Sequence, residues 1–314
     1  MVTIRRYSAE NKQEWDAFVA TSKNATFLHF RDYMDYHADR FCDHSLMAYD
    51  EEEELIALLP ANVSGETLYS HQGLTYGGWL TQARHLTGVT MLEIFDAMTS
   101  YLRENGIRKL VYKAIPYIYH KYPADEDIYA LFRHGARLAT VNLSSVAIAG
   151  DPSAVINRGA RSSVNHAKRQ NIIIEKSQNF AAFWKILSDN LRERYNTTPV
   201  HSLEEITLLA SRFPDNIHLF LASQDSEILG GSVIYQMNHI VHAQYFASTT
   251  EGNKKRVMSY IYYHLIYERF ADKKYFDLGT SNERNGWILN NTLLDMKARF
   301  GARGVAFNIY ELDI

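Results

Sequence analysis

The chain is 314 residues long, with 46% apolar residues, 22% charged residues and a formal net charge of −3. That length predicts two domains of about 150 residues each, and the composition is that of a globular protein rather than a disordered or membrane chain. The charge excludes a molecule that holds nucleic acid by its overall field, so any anion site must be local.

The first segment, MVTIRRYSAENKQEW, carries charges throughout and lacks the apolar stretch of about 7–15 residues that a signal peptide needs. No run approaches the ~20 apolar residues of a membrane span. Cys42 is the sole cysteine, which leaves no internal disulfide and no cysteine-type zinc site. These readings predict a cytoplasmic protein without a membrane span.

From residue 44, HSLMAYD, the acidic turn EEEE, LIALLPANV, the turn SGE and TLYSHQGLTYGG predict three strands joined by tight turns. The helix VTMLEIFDAMTSYLREN and the closing strand IRKLVYKAIP follow. Lys113 to Gly150 would complete a first unit. Asp151-Pro152 marks a junction, since proline disfavours a helix in the residue before it. The expected domains are 1–150 and 151–314.

Residues 158 to 175, RGARSSVNHAKRQNIIIE, predict a helix and then a β-branched strand. At 100° per residue Arg158, Arg161, Asn165, Lys168 and Arg169 share one arc of about 100°, with Ala160, Ser163 and Ala167 on the reverse. Such a basic face suits a phosphate-bearing donor such as CoA or tRNA, with Arg161 as a candidate contact. A solvated surface face explains the same charges.

Residues 217 to 282 repeat the earlier order. IHLFLAS, QDSE, ILGGSVIYQ, MNH and IVHAQYFAST predict three strands and two turns, followed by the polar loop TEGNKKR, the four-turn helix VMSYIYYHLIYERFA and the short strand KKYFDLGTSN. Leu46 aligns with Leu219, Leu55 with Ile228 and His71 with Gln244, each 173 residues on. The chain therefore reads as a duplication.

Asp277, Gly279, Thr280, Ser281, Asn282 and Asn285 cluster after that closing strand, where an α/β sheet offers its ligand crevice. Asp277 is a candidate to orient an acceptor amine or take its proton. Small polar residues also make ordinary turns. The thirteen histidines show no metal-ligand spacing, and no H-E-x-x-H, G-x-S-x-G or P-loop is present, so no metal is expected.

Three segments carry a family resemblance: the basic helix and strand of 158 to 175, the hairpin-loop-helix of 217 to 271, and FDLGTSNERNGWILNNTLLDMKARFG (276 to 301) with its Asp-x-Gly and Lys-x-x-Phe-Gly. They resemble the GCN5-related N-acetyltransferase (GNAT) superfamily and its FemAB-like tandem acyltransferases. The resemblance implies a mixed α/β fold of two tandem GNAT-like domains, each a largely antiparallel sheet flanked by helices, with the first a scaffold and the transfer site in the second. It implies an N-acyltransferase with acyl-CoA (acetyl-CoA) as donor and a small-molecule or peptidyl amine as acceptor. Tyr245 would act as general acid, and the backbone of Phe246, Ala247 and Ser248 would hold the acyl donor. Asn253, Lys254, Lys255 and Arg256 would meet its phosphates, although this loop departs from the usual glycine-rich turn. Lys297, which matches the family pattern, would reach a phosphate or carboxylate. An aminoacyl-tRNA-dependent transferase acting on a cell-wall precursor and an inactive GNAT-like binding protein are the alternatives, and a homodimer is left open.

Overall fold

The computed structural model describes residues 1–84, 86–150 and 156–314, with the backbone alone for Arg194 and Tyr195. The expected junction at Asp151-Pro152 lies outside the described residues. Two compact units form: Met1–Asn142 with Arg284–Trp287 and Ala306–Ile314, and Leu143–Glu283 with Ile288–Val305. Among the described residues no helix is long and apolar enough to cross a membrane.

In the first unit β1 (Thr3–Arg6) pairs antiparallel with β2 (Leu46–Tyr49), and β2 with β3 (Leu55–Leu59). The strand then breaks at Pro60, which has no N–H for a ladder. It resumes as β4 (Asn62–Ser64), which pairs antiparallel with β5 (Thr67–Tyr69). The helix α1 (Gly88–Glu104) crosses over to β6 (Lys109–Lys113), parallel to β5. Next come α2 (Glu126–Arg133) and β7 (Arg137–Ile148). Met91, Ile94, Phe95, Met98 and Leu102 recur at helical spacing and bury one face of α1.

The second unit begins with α3 (Arg158–Lys168) and β8 (Ile173–Ser177), followed by α4 (Phe180–Tyr195) and α5 (Leu203–Arg212). Three antiparallel strands follow, β9 (Ile217–Gln224), β10 (Glu227–Gln236) and β11 (Ile240–Ser248), with β8 antiparallel to β9. The short α6 (Thr250–Lys254) and then α7 (Val257–His264) lead to β12 (Tyr275–Thr280), parallel to β11. Then α8 (Asn291–Arg299) precedes β13 (Arg303–Asp313).

Both units thus run strand, strand, hairpin, strand, helix and parallel strand, although in the first unit β1 to β3 lie in one sheet and β4 to β6 in another. The strand that completes each comes from the other half of the chain. In the first unit β13 lies antiparallel to β6, and in the second the end of β7 lies antiparallel to β12.

The sheet of the second unit is covered on both faces. Phe220, Ala222, Ile234, Val241 and Ala243 pack with Val164 and Ala167 of α3 and Ile261 of α7. Successive strand residues alternate faces, so Leu219, Leu221 and Val233 point the other way, where α4 packs on β10 and β11.

Three local expectations change. The run TLYSHQGLTYGG forms a strand only over Thr67–Tyr69. Beyond it the chain folds back: Gly77 lies against the Ser70 carbonyl and Gly78 against the Tyr112 hydroxyl, approaches too close for any Cβ. The loop TEGNKKR holds the helix α6, capped by Thr249, whose hydroxyl accepts the Gly252 amide at 3.0 Å. The four-turn helix is α7 followed by a wider π-helical turn at Leu265–Arg269.

The fold-back in the first unit is pinned by a buried relay. The Trp79 amide donates to the Tyr112 hydroxyl at 2.6 Å, which donates to the Asp127 carboxylate at 2.6 Å. Burial raises the Asp127 pKa from 3.8 to about 7. The folded state therefore holds a proton that the unfolded chain has released. The stability this adds is complete below 3.8 and is lost as pH rises through about 7. Between about pH 4 and pH 8 the wild type should lose about 4 kcal/mol that Asp127→Asn retains. Urea unfolding of both proteins at the two pH values measures it; parallel losses would refute the assignment.

Candidate functional site

The parallel pairing of β11 and β12 is brief. It joins Ile240 to Tyr275, Val241 to Phe276 and His242 to Asp277, after which β11 runs on to Ser248 with no strand on that edge among the described residues. A bulge reinforces the divergence: Tyr245 faces Val233 and Ala243 faces Ile234, so Gln244 is the extra residue. A cavity of about 420 Å³ opens where the strands part.

Three helices line it, each through residues that share one face. Leu187, Asn190 and Leu191 come from α4, Met258, Ser259 and Tyr262 from α7, and Leu293, Met296 and Lys297 from α8. Because α4 and α7 cover opposite faces of the sheet, the cavity passes through the gap between the strands. The aromatic wall is continuous, with ring centroids of Phe246 and Tyr262 at 4.4 Å and of Tyr262 and Phe300 at 5.4 Å.

Lys297 is 4% exposed. Its ammonium donates to the carbonyls of Gly279 (2.8 Å) and Thr280 (2.9 Å) and to the Ser281 hydroxyl (3.0 Å). These bonds use all three of its donors. Burial lowers its pKa from 10.5 to about 8, against the opposing pull of the Asp277 charge. Gly279 itself sits at φ +77°, a conformation that suits glycine. The Asp277 carboxylate is fully buried and accepts from the Ser144 hydroxyl at 2.5 Å and the Gly279 amide at 2.8 Å, and it meets His242 Nδ1 at 2.9 Å.

Tyr245 lines the cavity with its ring edge-on to Trp184 at 5.3 Å. Its hydroxyl lies 2.7 Å from His201 Nδ1 and accepts the His201 amide at 3.3 Å. Burial raises its pKa, with the His201 amide opposing. The phenol therefore keeps its proton near neutral pH.

Of the residues singled out by sequence, the fold gathers Tyr245, Phe246, Ala247, Ser248, Asn253 and Lys297 around this one cavity. Gly279, Thr280 and Ser281 adjoin it through Lys297, and Asn282 accepts the Leu143 amide at 2.5 Å. Lys254, Lys255 and Arg256 are not among its lining. Lys254 pairs with Glu251 at 3.3 Å, and Lys255 bonds Gln224 at 2.5 Å. Arg256 is exposed in a left-handed conformation, φ +61°, between α6 and α7. The single glycine of this loop, Gly252, is a packing residue, since a Cβ there would lie 2.2 Å from the Leu229 carbonyl. Arg161 lies exposed on α3, its Nε bonded to the Ile156 carbonyl at 3.1 Å. Asn285 belongs to the first unit, in the turn of a hairpin.

Sequence reasoning missed the α4 face, although Leu187 and Leu191 stand four residues apart as a helix face requires. It also missed His201 and His242, whose partners lie on other elements. Among the described residues no group of His, Cys, Asp and Glu is placed to hold a metal ion.

No protein-family model and no curated protein sequence matches the chain. Its fold is similar to that of FemX, at 11% identity and a TM-score of 0.70, covering 99% of this chain and 97% of that one. It is similar to L-PGS from Bacillus licheniformis, at 12% identity and a TM-score of 0.63, covering 98% and 92%. A tandem GNAT protein from the clavulanic acid biosynthesis pathway aligns at 10% identity and a TM-score of 0.53, covering 100% and 98%. At such identities the likeness is one of fold, and that fold is GNAT-like, of the FemAB type, in two tandem units.

Proposed function

We propose that the chain is an N-acyltransferase that takes an acyl group from a thioester of CoA and passes it to an amine. The observation that carries this reading is the cavity opened where β11 and β12 diverge. It offers a lined recess beside an open strand edge, along which an amide-bearing pantetheine arm would pair as an added strand. The acyl carbonyl would lie against the backbone of Tyr245 to Ser248, whose amides would stabilise the developing oxyanion. The amine nitrogen forms the new C–N bond as the C–S bond breaks. Tyr245 gives its proton to the departing sulfur, and the proton shed by the amine returns to Tyr245 through His201. Holding both reactants in this gap supplies most of the acceleration. Lys297 and Asp277 act as positioning residues, since they fix the end of β12, whose Leu278 lines the cavity.

Asn253 and the exposed Arg256 would meet the phosphates of the donor. Glycine adopts the Arg256 backbone conformation without strain, so Arg256→Gly removes the charge alone. It should weaken CoA binding about 10-fold and leave the melting temperature unchanged or raised. Isothermal calorimetry on the full chain reads the first and a thermal scan the second; undetectable binding of CoA to the wild type would overturn this donor. The exposed basic face of α3 favours a second reading, with aminoacyl-tRNA as donor. Binding of tRNA that falls steeply with salt, without CoA binding, would favour it.

A further inference from the structure

Several polar groups of the cavity are already committed to the protein. Lys297 spends its donors on Gly279, Thr280 and Ser281. The Asn190 amide donates to the carbonyls of Ile186 and Ser248, at 2.9 and 3.0 Å, and the Ser248 hydroxyl donates to Asn253 at 2.8 Å. The Tyr245 hydroxyl meets His201 and carries no charge. Among the described residues that line it, none is an aspartate or glutamate. Apart from the uncharged Gln244, Asn253 and Ser259, the rest of the lining is apolar side chain, including Leu187, Ala243, Leu278 and Phe300, together with Met258 and Met296. Thioether side chains adapt to guests of differing length.

Size bears on the same point. A cavity of about 150 Å³ lined by apolar groups accepts benzene, whereas this one is about 420 Å³. The pantetheine end and the acceptor amine take part of that volume, and the apolar lining beyond them suits an acyl group longer than acetyl.

We infer that the site selects an uncharged, apolar acyl chain several carbons longer than acetyl and rejects an acyl group that carries an ammonium, as an aminoacyl group does. An ammonium would lose its water there and meet no carboxylate in return. The chain would lie between the α4 and α8 residues and end against the Phe246, Tyr262 and Phe300 wall. This inference rests on the acyl-transfer reading and names the class of donor within it.

The test is calorimetry on the full chain with octanoyl-CoA, acetyl-CoA and β-alanyl-CoA, repeated with the same acyl groups on pantetheine. Octanoyl forms should bind at least about 10-fold more tightly than acetyl forms, in proportion to apolar area removed from water. β-Alanyl forms should be the weakest. Equal affinity for octanoyl and acetyl, or tighter binding of β-alanyl than of octanoyl, overturns the inference. The pantetheine series separates two failures: if chain length matters on pantetheine while CoA adds nothing, the CoA donor is wrong and the chain selectivity stands. If no thioester binds in either series, both fall.

Discussion

Replacing Ala243 by phenylalanine should lower kcat/KM for acyl transfer about 100-fold while the protein stays folded. Ala243 lies on β11 immediately after the last pair with β12, and it lines the cavity together with Leu278. A phenyl ring there would occupy the gap between the strands, and displacing a reacting group by about 1 Å is enough for a loss near 100-fold. Overpacking would cost about 1–3 kcal/mol, so circular dichroism and thermal unfolding distinguish a blocked site from a collapsed one. Undiminished turnover in a folded variant would remove the cavity from the mechanism.

Lys297→Met should destabilise the second unit by about 3 kcal/mol, although methionine nearly conserves volume. The change leaves the Gly279 and Thr280 carbonyls without their Lys297 donor and removes the positive charge beside Asp277. The pH dependence carries its own signature. Burial lowers the folded pKa of Lys297 from 10.5 to about 8, so across that interval the folded state binds fewer protons than the unfolded one. Stability from this group is withheld below about 8 and gained as pH rises toward 10.5. Denaturant unfolding at both ends of the interval should show the gain in the wild type and not in the variant. A variant as stable as the wild type at both would mean that these bonds contribute nothing net.

The repeated order of strands and helices was legible because it rests on two periods, two residues for strands and 3.6 for helices, and on turn residues between them. The second half shows this well: β9, β10 and β11 fall within a residue or two of the runs that predict them. The stretch 67–78 failed because its alternation is that of a strand, whereas Gly77 and Gly78 let the chain approach Ser70 and Tyr112 more closely than a strand allows. The charges of 251–256 were legible as charges. That Glu251 faces Lys254 and Lys255 depends on a helix turn forming there.

Most of the cavity was hidden for a different reason. An apolar helix face announces that it is buried without naming what it is buried against, and α4 is separated from β11 by the whole of α5, β9 and β10. The dyad of His242 and Asp277 likewise depends on a parallel register that no local pattern encodes. Tyr245, Ser248, Asn253 and Lys297 could be anticipated from their segments, but the reach of Lys297 to three successive residues of β12 and its end could not.

The exchange of closing strands bears on how the chain assembles. The ladder on β6 waits for residues far downstream, Ile309 to Asp313, so the N-terminal half cannot finish its sheet while it emerges alone. Until then β6 presents a bare edge of the kind that invites wrong pairing. The contacts that mend it are long in sequence and therefore slow to form. A gene cut at the midpoint would yield two fragments, each lacking the piece the other holds, and they would regain native order only by finding one another.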